Sequence, residues 1–135
     1  MSALEVRNSV VVLHGAEYSA QPATIKSTML GIEDHGIMSF WLHTEWPGAG
    51  IGVGGYALDT YDKTAGRRVG HASCGALIAE VLKVVGVHSW EALKGARIHV
   101  LFEGSGGCGS TAAGIADADL TRVVVLREFF EELKA

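Results

Sequence analysis

Apolar and polar positions alternate through the first half of this chain and recur at helical spacing only after residue 72. Residues 10–14 (VVVLH, preceded by Ser9) predict a first strand, and Gln21 and Pro22 lead into a second over 23–30, where Ile25 alternates with Lys26 and Met29 with Thr28. Glu33-Asp34-His35-Gly36 reads as a turn, because Asp34 tolerates unusual backbone angles and Gly36 allows positive φ. A third strand, 37–45, sets Ile37, Ser39, Trp41 and His43 on one face and Met38, Phe40, Leu42 and Thr44 on the other. Both faces are largely apolar, which predicts a central strand covered on both sides. Trp46-Pro47-Gly48 turns the chain into a glycine-dense fourth strand, 50–58. The polar stretch 59–68 reads as a mobile connection.

Leu77, Ile78, Val81, Leu82 and Val85 place a helix over 73–85, stopped by Gly86. Ser89 caps a short helix at 90–94 that ends at Gly95, and 96–102 (ARIHVLF) alternates as a fifth strand. Residues 104–111 form a glycine-serine loop, 121–126 a sixth strand, and 127–134 a short amphipathic helix or docked tail. Strands, then helices, then strands predict an α+β fold: a small antiparallel β-sheet packed with two or three α-helices. The 135 residues make one domain, 1–135.

Composition adds a partner. The chain is 48% hydrophobic with a mean hydropathy of +0.25, yet it has no apolar run near the roughly 18 residues that a membrane helix needs. Nothing at the N-terminus resembles an export signal. High apolar content without membrane spans predicts burial between copies of the chain, a homo-oligomer. A net charge of −4 argues against binding long nucleic acids, while leaving room for one small anion held by local arginines. Cys74 and Cys108 form no metal motif and read as buried free thiols of a cytoplasmic protein.

Two glycine patterns imitate nucleotide motifs. Residues 50–55 match G-x-G-x-x-G, but no helix follows them and no acidic residue stands at the ribose position, so a dinucleotide site is not expected. They read as a strand with one face of glycine, where a ligand or neighbouring subunit approaches the backbone at Gly54 and Gly55. Residues 104–111 lack the lysine of a P-loop and read as a flexible connection. The six histidines show no zinc-ligand spacing, and no nucleophile elbow or acid–base carboxylate pair is present. No metal, no cofactor and no enzymatic activity are expected.

Arg67 and Arg68 lie just before His71 and the start of the long helix, a place where guanidinium groups and helix-start amides can share a phosphate. Arg97, Arg122 and Arg127 add charge, and Tyr56, Trp90 and Phe129 offer stacking surfaces; together they suit a nucleotide. His99 lies in the fifth strand and can meet His43 on one sheet face. Two rival readings stand beside a binding protein. One is a small nucleotide hydrolase using His43 or His99 with Asp34 or Asp59; the other is a structural or host-interaction protein without a small ligand.

The run IKSTMLGIEDHGI at 25–37, GGYALD at 54–59, VVGV at 84–87, then Ser89-Trp90-Glu91 and Leu93-Lys94-Gly95 resemble, in the same order, the Thoeris anti-defence proteins of the first type, a family of small phage proteins. The likeness covers roughly residues 22–102. It implies a sponge that sequesters cyclic ADP-ribose isomers, such as glyco-cyclic ADP-ribose, in the cytoplasm of the infected bacterial host without degrading them. It further implies assembly as dimers or hexamers with pockets shared between subunits, and in some members a separate site for the cyclic oligonucleotides of CBASS defence. The chain departs from the family in a glycine- and alanine-rich stretch at 105–120 and in its tail, Leu126-Arg127-Glu128-Phe129-Phe130.

Overall fold

The structure is a computed structural model that describes residues 4–7 and 9–134. In chain order its elements are β1 (Glu5–Arg7), β2 (Val10–Leu13), β3 (Ala16–Ile32), β4 (Met38–Trp46), β5 (Ala49–Ala57), β6 (Asp59–Asp62), β7 (Arg67–Gly70), α1 (Ala72–Val85), a 3-10 turn at Trp90–Leu93, β8 (Arg97–Glu103), β9 (Gly114–Asp117), β10 (Val123–Val125) and α2 (Leu126–Lys134). The fold is α+β, an antiparallel sheet packed with two helices.

β3 is the spine. It pairs with β2 at Ala16–Ser19 and β4 at Thr24–Ile32. Its other edge pairs with β8 at Ser19–Thr24, and β9 and β10 follow outward from β8. The second strand predicted at 23–30 is therefore the latter half of a strand seventeen residues long. Pro22 sits inside it without breaking it. The Ala20 N–H faces the β2 edge, where it donates to Ser9 O at 2.8 Å. Two residues on, the Pro22 nitrogen faces that same edge in the gap between β2 and β4, so its missing donor costs no ladder bond.

The main core lies between the sheet and α1, where Leu77, Val81 and Val84 meet Ile25, Phe40, Leu42, Val53, Ile98, Val100 and Ile115. A second cluster on the opposite face joins Val11, Leu13, Tyr18, Ala20, Leu101, Ala116 and Val125. Gly86 closes α1 at φ 86°, as its position predicts. Arg122 adds a second stop by donating from Nε to Val84 O at 3.2 Å, a favourable place for a cation beside helix-end carbonyls.

Four expectations change. Residues 59–68 are not a loose connection: they contribute β6 and the first half of β7, a hairpin fastened by Asp59 and Arg68. The face of β4 that carries Trp41 is open, with Trp41 half-buried and His43 and Glu45 exposed, so only the Phe40–Leu42–Thr44 face is fully covered. Cys108 is exposed and Cys74 half-buried, and both are free. The stretch 105–120 contains β9, whose four residues are all buried.

Candidate functional site

The site begins with a slip in register. Trp41 of β4 stands opposite Gly54, but Ser39 stands opposite Ala57, so β5 carries one residue more than β4 over this step. The extra residue is a β-bulge at Gly54 and Gly55, whose φ values of 134° and 83° suit glycine. Strict alternation would set Tyr56 on the face opposite Ile51 and Val53. The bulge returns it to their side, where it packs on the main core and stacks against Phe130 of α2 with centroids 4.7 Å apart and planes 12° from parallel.

The glycines themselves are occupied from within the chain. A Cβ on Gly52 would stand 2.9 Å from Trp41 Cε3, and one on Gly55 would stand 2.6 Å from Trp41 Cζ2. A Cβ on Gly54 would meet Phe40 O at 2.5 Å. The bare face of β5 is thus the seat of the Trp41 indole, which covers backbone that has no side chains of its own. The space that side chains at Gly52 and Gly55 would take is filled by this chain's own Trp41, where the sequence suggested a ligand or a neighbouring subunit.

Beside the Tyr56–Phe130 stack, an open cleft of about 570 Å³ is lined by Tyr56, Asp59, Thr60, His71, Ser73 and Lys134, together with Ala57 and Leu133. His71 caps α1: Nδ1 accepts from the Ser73 N–H at 3.0 Å, and the Ser73 hydroxyl lies 2.9 Å from the same nitrogen. A neutral ring that accepts through Nδ1 carries its proton on Nε2, so a donor remains free. Asp59 is committed. Its Oδ1 accepts from Arg68 Nε at 2.9 Å and Nη2 at 2.6 Å, and its Oδ2 accepts from the Met38 N–H at 3.1 Å. Arg68 holds the Asp59 carboxyl below the usual carboxylate range, and the carboxylate raises the guanidinium in turn.

Of the residues predicted from sequence, Tyr56 and His71 meet in this cleft, and Arg68 stands behind its Asp59 wall. Arg67 is exposed on β7. Arg97 and His99 line a separate cleft, where His99 Nδ1 bonds to Asp117 O at 3.0 Å. Arg122 and Phe129 line a third, between α1 and the start of α2. Trp90 is turned inward and donates from Nε1 to Thr28 Oγ1 at 3.0 Å, while Arg127 pairs with Glu103 at 3.1 Å. His43 and His99 share a sheet face but stand opposite Ser27 and Pro22 respectively. Neither lines the cleft that contains Asp59.

Thr60, Ser73, Phe130 and Lys134 were not singled out by the sequence. Phe129 and Phe130 are adjacent aromatics with edge-on rings, 5.4 Å apart. Helical geometry sends such neighbours to different sides, but only the position of β5 decides which one meets Tyr56. Among the described residues no three His, Cys, Asp or Glu side chains group as a metal site, and no helix is long and apolar enough to cross a membrane. The chain matches no known protein family, no characterised protein and no solved structure at a significant level.

Proposed function

We propose that this protein is a sponge that binds a cyclic ADP-ribose isomer, glyco-cyclic ADP-ribose first among them, and holds it intact. The observation that carries the reading is the Tyr56–Phe130 stack at the edge of a cleft that also contains the capped start of α1. A base stacked on an aromatic ring face gains about 1–3 kcal/mol, and the half-buried rings of Tyr56 and Phe130 both line this cleft. The His71 Nε2–H, the Thr60 hydroxyl and Lys134 supply donors of the kind that ribose and diphosphate oxygens take. Arg67, exposed on the adjacent hairpin, adds a cation for the phosphates. The collinear likeness of residues 22–102 to the Thoeris anti-defence proteins favours sequestration over hydrolysis.

On this reading the protein acts in the cytoplasm of an infected bacterium as a dimer or larger homo-oligomer, and cyclic oligonucleotides are a further ligand class. The test is depletion and recovery. Glyco-cyclic ADP-ribose is incubated with protein, the free pool is measured, and the protein is then denatured by heat. A sponge removes the signal and returns it unchanged. Return of a cleaved product identifies a hydrolase, and an undepleted pool removes the ligand from the reading.

A further inference from the structure

Glu45, Thr24 and Arg97 form one cross-strand row: Thr24 of β3 stands opposite Glu45 of β4 on one edge and Arg97 of β8 on the other. Directly paired residues share a face, so the carboxylate and the guanidinium rise from the same side of the sheet. Their Cα atoms are two strand spacings apart, about 10 Å. Both side chains are exposed, and neither makes an ion pair or hydrogen bond with a described residue. They flank an open cleft of about 490 Å³ whose apolar lining includes Pro22, Pro47 and Ala118.

We infer that this cleft is a second, independent site for a small zwitterion of the α-amino-acid type: its carboxylate on Arg97, its ammonium on Glu45, and an aliphatic side chain against the prolines. The chemistry follows from the spacing. A single anion would satisfy Arg97 and leave Glu45 facing it with like charge, and a single cation would do the reverse. A ligand with both charges a few ångströms apart meets both walls and spans Thr24. Arg97 suits a carboxylate because its planar fork can bond both oxygens. The cleft is open to water, so the charges are screened and the expected Kd is weak, about 0.1–1 mM.

The test is a titration of the intact protein, followed by NMR chemical shifts, with L-leucine, N-acetyl-L-leucine and L-leucinamide. Leucine should bind saturably. The acetylated compound lacks the ammonium and the amide lacks the carboxylate, and each should bind at least tenfold more weakly. Glu45→Gln and Arg97→Gln, checked for fold by circular dichroism, should each lower leucine affinity to a similar degree. Glu45→Gln should narrow the gap between leucine and N-acetyl-leucine, and Arg97→Gln the gap between leucine and leucinamide. The inference is overturned if leucine causes no saturable shift, or if all three compounds bind alike. It is equally overturned if the variants leave leucine binding intact and instead change the mass seen by light scattering, which would assign the two charges to a second copy of the chain.

Discussion

Tyr56 stacks on Phe130 because two glycines before it turn the strand over. The rings lie 4.7 Å apart and 12° from parallel, and α2 is thereby joined to the bulged end of β5. Glu128, two residues before Phe130 on the same helix, accepts from the Tyr18 hydroxyl at 3.2 Å and contacts His14 Nδ1 at 3.1 Å. α2 is thus held at both ends of its first turns, and its Phe130 face forms one wall of the candidate site.

A double-mutant cycle should detect this stack directly. Tyr56→Leu and Phe130→Leu keep apolar bulk and remove the facing rings, so the coupling between them isolates the ring–ring contact. Urea denaturation of the parent, both single variants and the double variant should give a coupling of about 0.5–1.5 kcal/mol. Both single variants should also weaken glyco-cyclic ADP-ribose. Coupling within error of zero would mean that the rings are neighbours without energetic consequence.

Gly52 provides a cleaner test of the bare strand than Gly54 or Gly55, because its φ is not positive. Gly52→Ala puts a Cβ 2.9 Å from Trp41 Cε3, and overpacking of this kind costs about 1–3 kcal/mol. The same change in a Trp41→Ala background should cost little, since the obstructing ring is gone. If Gly52→Ala is harmless to stability with Trp41 in place but abolishes ligand binding or assembly, then the glycine face serves a partner after all.

Alternation and turn chemistry made most of the sheet legible. Residues 33–36 turn where the Asp-His-Gly run requires, and Ser89 and Gly86 cap where their types demand. Three features were hidden for physical reasons. β9, Gly-Ile-Ala-Asp, is too short to show alternation and opens on a glycine, although Gly114 has no room for a Cβ against the Val124 carbonyl. The β6–β7 hairpin is mostly polar and has no fully buried residue, and the Asp59–Arg68 bonds fasten it. Tyr56 could not be assigned a face, because a bulge shifts alternation by one residue. Four of these six side chains therefore waited for tertiary structure: Tyr56 and His71 are legible in the sequence, while Phe130, Ser73, Thr60 and Lys134 are not.

Acid should loosen the β9–β10 turn. Burial of Asp117 pushes its carboxyl upward, but the Thr121 hydroxyl, the Arg122 and Thr121 N–H groups and the Arg122 charge outweigh it, and the net shift is downward. Asp59 is lowered as well, chiefly by Arg68. A carboxylate with a folded pKa below its unfolded one stabilises fully above the ordinary range, and that contribution is lost as pH falls through the folded value. The urea midpoint should therefore drop between about pH 5 and about pH 2. Asp117→Asn should be less stable at neutral pH and should lose less over the same window. An unchanged pH slope in the variant would show that Asp117 does not report acid.

His71 has two assignable roles, and two substitutions separate them. Its Nδ1 caps α1 by accepting the Ser73 N–H, while its Nε2 has no hydrogen-bond partner among the described residues and the ring lines the cleft. Asparagine can cap through its side-chain oxygen, whereas alanine cannot. His71→Ala should thus cost about 0.5–2 kcal/mol of stability, and His71→Asn should recover most of that loss. Neither variant supplies a donor where Nε2 stands, so both should bind glyco-cyclic ADP-ribose more weakly by the worth of one hydrogen bond to a charged or polar oxygen, about 1–3 kcal/mol. Denaturation and isothermal titration on the same two proteins read the roles apart. If His71→Asn matches the parent in both measurements, the imidazole is a helix cap alone, and the donors lining the site are reduced to Thr60 and Lys134.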